Sequence, residues 1–207
     1  LAKALDYSFI DSGAMYRGAA LFFYRQGHVT EKKMDIEAIE LSISNLDLSF
    51  KIHNAKNCLY LHNENIEDEI RQAHVVNIVS KVATIRAVRI ALVKQQQKMG
   101  ENGGIVMDGR DIGSVVFPDA QLKIFVTANP EIRAQRRYAE LQQKGIPQSL
   151  EEVQLNLIKR DHIDSTREES PLVQDQDAIV LDNSKLTKEE QLEWVLEKAR
   201  KIINSMH

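Results

Sequence analysis

The sequence predicts an α/β fold with a mostly parallel sheet, on three observations. Short apolar runs at residues 7–10, 105–107, 122–127 and 178–181 have the length of strands rather than helices, and the last three read as buried. Amphipathic helical stretches alternate with these runs, as parallel crossover connections require. Two-residue alternation at residues 46–61 marks a small antiparallel hairpin, carried as an insert.

The bulk composition limits the function classes. The chain has 207 residues, 43% of them hydrophobic, enough for one globular domain or one core with inserts. A formal net charge of -3 and an isoelectric point near 6.1 argue against nucleic acid or an anionic membrane as partner and leave small phosphorylated ligands open. The single Cys58 excludes an intrachain disulfide and a cysteine metal cluster, and fits a reducing, cytoplasmic setting. No apolar run approaches the ~20 residues of a membrane span, and no signal-peptide pattern is visible.

Taken in order, Leu1, Ala2 and Leu5 lie on one helical stripe. A helix this short does not hold itself, because isolated helices below about 12 residues are marginal, so the printed chain is expected to begin inside an element. Ile36, Ile39, Ile43 and Leu46 recur at helical spacing and predict a core-facing helix over 35–46. Leu46, Leu48, Phe50 and Ile52 then alternate with polar residues, as do Leu59 and Leu61, with a turn at 53–57. His53, Cys58 and His62 lack metal-ligand spacing there and read as surface positions.

Residues 70–98 carry Val75, Val76, Val79, Val82, Val88 and Leu92 at helical spacing. Ser80 and Arg89 stand nine positions apart, about 900° around a straight helix, and so point in opposite directions. They share a ligand only if the helix breaks, for which Thr84 is a candidate N-cap of a second segment. Asn129, Pro130 and Glu131 start another helix, whose Arg133, Arg136 and Arg137 form a basic face, ordinarily a solvated one. Gly145 and Pro147 interrupt it. Ser149 with Glu152 forms a capping box for the next helix through Val153, Leu157 and Ile158. Thr187 with Glu190 caps the last helix, through Leu192, Val195, Leu196, Ala199 and Ile202.

Three stretches concentrate charge where ligands bind. In GIVMDGRDIG, residues 104–113, the apolar Ile105, Val106 and Met107 end in Asp108, Gly109, Arg110 and Asp111, at the strand edge where open α/β sheets hold ligands. An Arg between carboxylates there pairs with a phosphate or base edge, or forms an internal ion pair; both readings stand. In DSGAMYR, residues 11–17, Asp11, Ser12 and Gly13 precede a helix with Arg17 one turn in. That is the outline of an anion site, or an ordinary N-cap with an exposed arginine. Arg160, Asp164 and Arg167 fall at about 0°, 40° and 340° on a continuing helix, two cations around one carboxylate.

Together, DSGAMYR, GRDIGSVVFPDA and RDHIDSTR, in this order and at these separations, resemble the bacterial cytidylate kinases over essentially the whole printed chain. The resemblance implies a P-loop kinase-type parallel sheet core flanked by helices, formed by residues 1–17, 99–135 and 170–207. A nucleoside-monophosphate-binding insert of helices and hairpin would span 18–98, and a helical lid 136–169. It implies a cytoplasmic monomer that transfers phosphate from ATP to CMP or dCMP with Mg²⁺, without nucleic-acid or membrane partners.

Position by position, the resemblance sets Ser12, Arg17, Arg110 and Arg167 around the acceptor phosphate, beside Gly109. Arg160 and Asp164 hold the ribose, and Ser80, Arg89 and Asp111 read cytosine. Asp108 holds Mg²⁺ through water, and Arg136 and Arg137 approach the ATP phosphates from the lid. Arg110, Arg136, Arg137, Arg160 and Arg167 are thereby the catalytic candidates, in a chemistry that needs positioned positive charge rather than a side-chain base.

The family's phosphate-cradling GxxxxGK[ST] pattern does not occur in these 207 residues, so roughly 20 or more residues are expected ahead of Leu1. The printed polypeptide alone is then expected to bind ATP badly or not at all. A kinase for another monophosphate such as UMP, or a catalytically silent nucleotide-binding module, are the alternatives.

Overall fold

The computed structural model describes residues 1–54 and 56–205. By contacts the chain divides into two compact units, residues 2–116 and residues 117–207 with Leu1.

In the first unit a single turn, α1 (Ala2–Leu5), leads into β1 (Ser8–Asp11). Asp11 closes that strand and caps α2 (Ser12–Arg25), its carboxylate accepting from the Ala14 N–H at 2.7 Å. Asp35 caps α3 (Ile36–Ser42) in the same way, and a 3₁₀ turn, Ile43–Asn45, follows. The hairpin is β2 (Leu48–His53) against β3 (Lys56–Leu61), extended by β4 (Glu64–Asn65). Leu48 opposes Leu61 and Phe50 opposes Leu59. Ala55, in the predicted turn, lies outside the described residues. Next come α4 (Ala73–Val82), α5 (Arg86–Met99) and β5 (Ile105–Asp108). β5 runs parallel to β1, with Asp11 opposite Asp108.

α2 is buried on almost every side, as a helix apolar all round must be. Its Met15, Leu21 and Phe23 form the core of this unit with Leu59, Ile70, Ile78 and Leu92. Gly18 lets the hairpin approach: a Cβ there would stand 2.8 Å from Leu59 Cδ2.

The second unit holds β6 (Ile124–Thr127), α6 (Pro130–Gln143), α7 (Leu150–Thr166), β7 (Ile179–Asp182) and α8 (Lys188–Ser205). β6 and β7 pair in parallel. Asn129 caps α6, and the Ser149–Glu152 capping box starts α7. Thr187 and Glu190 exchange the equivalent bonds, 2.8 and 3.1 Å, ahead of α8.

The structure departs from the sequence reading at several points. Thr84 does not cap α5; Ile85 precedes it without a side-chain bond, and the Thr84 hydroxyl donates back to the Lys81 carbonyl at 2.8 Å. Ile36 is exposed, and Ile52, 74% exposed, sits near the free end of the hairpin, beyond reach of the core. Cys58, read as a surface position, is buried on β3. The strands at 122–127 and 178–181 are less buried than their apolar runs suggest. β6 and β7 form a two-stranded pair, each with one unpaired edge among the described residues, and Val126 is 56% exposed.

Candidate active site

Ser12 and the end of β5 build the first part of the site. The Ser12 hydroxyl, buried, donates to the Asp108 carbonyl at 2.6 Å and so ties the start of α2 to the turn that follows Asp108. Gly109 is dictated by this closeness, since a Cβ there would fall on Ser12 Oγ and on the Ile112 side chain. Arg17, one turn into α2, reaches back to the Asp11 carboxylate at 3.2 Å. Asp11 therefore stands beside the candidate residues, although the sequence offered it only within the outline of an anion site or as an N-cap. The register that sets it beside Asp108 is a tertiary fact.

Asp108 holds its proton to a higher pH than an ordinary aspartate. Its residue surface reaches solvent, yet desolvation of the carboxylate against the strand ends pushes its pKa up to about 6, and the like charge of Asp11 adds to the effect. The bond it accepts on its own turn, Arg110 and Arg17 oppose the shift only in part. Crowded carboxylates of this kind suit a divalent cation, which would relieve their repulsion.

The second part is the pair Arg89 and Asp111, each 3% exposed. Arg89 Nη2 donates to Asp111 Oδ2, and Nη1 donates to the Ala83 carbonyl at 3.1 Å. That carbonyl is available because the helix breaks between Val82 and Arg86, as a shared role for Ser80 and Arg89 requires. Ser80 lies half-buried in the last turn of α4. The Asp111 backbone is fixed by a π-helical turn, Ile112–Val116. Its carbonyl accepts from the N–H groups of Val115 and Val116, at 2.9 and 3.2 Å. Such turns recur at functional sites, and nothing in the apolar pattern of GSVV announces one.

Tyr16 is a further participant that the sequence reading missed. Its ring centroid lies 5.3 Å from the Arg89 guanidinium carbon, within cation–π range. A tyrosine in a helix beside an arginine carries no signal of this in sequence alone.

The second unit carries Arg136, Arg137, Arg160, Asp164 and Arg167. Asp164 is buried between Arg160 Nε, 3.8 Å away, and Arg167 Nη1, 3.6 Å away. The helix ends at Thr166 rather than continuing, and Arg167 turns extended, with its Nε donating to the Ser170 carbonyl at 2.8 Å. The two-cation cluster thus forms by a route other than a straight helical stripe. The predicted basic face of α6 is engaged throughout. Arg133 pairs with Asp161 at 2.6 and 2.9 Å, and Arg137 pairs with Glu140 at 2.8 Å. Arg136 donates to the Asn183 side chain and carbonyl at 2.9 and 2.8 Å and to the Ser184 carbonyl at 3.3 Å.

Arginine–carboxylate pairs stand at the strand ends of an α/β protein, at the sheet edge where this class of fold holds its ligands. A family model described as cytidylate kinase matches residues 1–201. The chain is 54% identical over 207 residues to the cytidylate kinase of Parabacteroides distasonis, covering 99% of this chain and 90% of that protein. It is 50% identical over 206 residues to that of Phocaeicola vulgatus, with coverages of 99% and 90%. It is 50% identical over 205 residues to that of Flavobacterium johnsoniae, with coverages of 98% and 89%. The chain belongs to the cytidylate kinase family; it is a nucleoside monophosphate kinase.

Proposed function

We propose that the enzyme transfers a phosphoryl group from ATP to CMP or dCMP, giving ADP and CDP or dCDP, with Mg²⁺. The observation that carries this reading is the enclosed Arg89–Asp111 pair beside the Asp108–Gly109–Arg110 turn. Cytosine offers an amino donor next to ring-nitrogen and carbonyl acceptors, and an aspartate with an arginine supplies the complement, with Ser80 as a third reader. Uracil reverses the donor and acceptor at two of these positions. Leaving either buried partner unpaired costs about 1 to 3 kcal/mol, so UMP is the poorer acceptor.

Arg17, Arg110 and Arg167 are assigned to the acceptor phosphate. Ser12 serves the same end through its brace on the Asp108–Gly109 turn. Arg160 and Asp164 hold the ribose. Asp108 would hold Mg²⁺ through water, and bound Mg²⁺ supplies charge neutralisation on the ATP phosphates. Arg136 and Arg137 approach those phosphates when the lid, residues 136–169, closes over the core. Arg136 then exchanges its bonds to Asn183 and Ser184 for an anion, which a guanidinium binds more strongly. Lid closure also keeps water from taking the phosphoryl group. No side-chain base is required, since this chemistry rests on positioning and charge neutralisation.

The enzyme is read as a cytoplasmic monomer acting on small molecules, without nucleic-acid or membrane partners. Among the described residues no helix is long and apolar enough to cross a membrane.

Calorimetric titration with CMP, dCMP and UMP, paired with a coupled assay for ADP release on the intact protein, tests the reading. CMP and dCMP are expected to bind at least tenfold more tightly than UMP, and Arg89→Lys, which keeps the charge and loses the guanidinium fork, is expected to erase the preference. Equal binding of UMP overturns the choice of acceptor. CMP binding without ADP release in the presence of ATP and Mg²⁺ identifies a nucleotide-binding module instead of a kinase.

A further inference from the structure

We infer that Tyr16 is a positioning residue for base selection: its ring face fixes the plane in which Arg89 and Asp111 meet the pyrimidine. The inference rests on the reading, proposed above, that this pair recognises the base.

Among the described residues the Arg89 guanidinium donates two hydrogen bonds, both from its terminal nitrogens, to Asp111 and to the Ala83 carbonyl. Its Nε is buried and has no hydrogen-bond partner among the described residues. Both bonds lie at the terminal nitrogens, so the inner end of the guanidinium is held by packing rather than by a hydrogen bond. The Tyr16 ring, over which the guanidinium carbon lies 5.3 Å from the centroid, supplies such a packing contact. Tyr16 is itself held, because it packs against the hydrophobic core from α2. Asp111 is locked independently by the π-helical turn. Arg17, the next residue along α2, faces the anion region beside Asp11. One helical turn thus sets the plane of the base reader and positions a phosphate ligand.

The test replaces Tyr16 in the full chain with phenylalanine and with phenylalanines bearing increasing numbers of fluorine atoms. Fluorination weakens the negative face of the ring while nearly preserving its shape, so the protein keeps its packing. CMP and UMP affinities are measured by calorimetry without ATP. Tyr16→Phe is expected to stay within about twofold of the parent preference for CMP over UMP. Successive fluorination is expected to reduce that preference stepwise, by about tenfold in the pentafluoro variant. A preference that stays flat across the series overturns the inference, as does its complete loss in Tyr16→Phe, which would assign the effect to the hydroxyl. Arg89→Lys separates the two levels: if it retains the preference, base reading by this pair fails. If it loses the preference while the fluorine series stays flat, only the role of Tyr16 fails.

Discussion

The Ser12 hydroxyl donates to the Asp108 carbonyl at 2.6 Å, joining two turns that lie 96 residues apart in the sequence. The bond leaves no room for a side chain between its partners, and Gly109 occupies that position. Gly109→Ala is therefore expected to destabilise the fold by about 1 to 3 kcal/mol through overpacking against Ser12 and Ile112. Ser12→Ala, which removes the bond, is expected to cost about 1 kcal/mol. Because removing the hydroxyl also makes space, the double variant should be less destabilised than the sum of the two. Urea denaturation curves for all three variants measure this coupling, and costs that add within about 0.5 kcal/mol would refute the shared space.

Arg89 and Asp111 form an enclosed ion pair, an arrangement that by itself adds little net stability. Arg89→Met strands a buried carboxylate and is expected to cost about 3 to 5 kcal/mol. Changing Asp111 to leucine in the same protein removes the stranded charge and should restore most of that loss. The double variant then folds but has no preference for CMP over UMP. Thermal unfolding and calorimetric titration read the two effects separately, and a double variant as unstable as Arg89→Met would show that the site cannot accept apolar residues.

How far the sequence reaches follows from the kind of information each feature carries. The capping residues Asn129, Ser149, Glu152, Thr187 and Glu190 were legible because a cap is a local exchange of bonds within four residues. The break between α4 and α5 was legible as a requirement, from the angle between Ser80 and Arg89, but its mechanism was not. Thr84 turns its hydroxyl to the preceding helix rather than the following one. The charged strand end at 108–111 was readable, whereas the placement of Asp11 opposite Asp108 depends on strand register. The face of Tyr16 over Arg89 joins residues 73 positions apart, where no periodicity reaches.

Asp164 illustrates how burial changes an expectation. From its helical spacing alone, Asp164→Ala should weaken CMP binding with little effect on folding. In the structure the carboxylate is enclosed, with Arg160 and Arg167 within 4 Å, and the Arg167 side chain is only 8% exposed. Removing the negative charge leaves a buried guanidinium with one fewer counter-charge, so Asp164→Ala should also cost about 1 to 3 kcal/mol in stability. Asp164→Asn keeps the shape and a hydrogen-bonding oxygen, and is expected to retain more stability than alanine while still binding CMP weakly. Calorimetry and urea midpoints on both variants test this; CMP affinity equal to the parent in both would remove Asp164 from the nucleotide site.

Asp108 makes stability depend on pH in a predictable direction. Its folded pKa of about 6 stands above the ordinary carboxylate range, so the fold favours the protonated form. The stabilising contribution is complete below about pH 4, where the group is protonated folded or unfolded, and is lost as pH rises through about 6. Above that, the folded protein carries a carboxylate it disfavours. Asp108→Asn, neutral throughout, should therefore gain stability over the parent as pH rises from 4 to 8 and show no gain at the acid end. Solvent screening at this accessible position reduces the expected gain to about 1 kcal/mol. Paired thermal melts across that pH range in chelator-containing buffer measure it. A gain that is constant with pH, or larger in acid, would show that desolvation and Asp11 do not govern the charge of Asp108 in the folded protein.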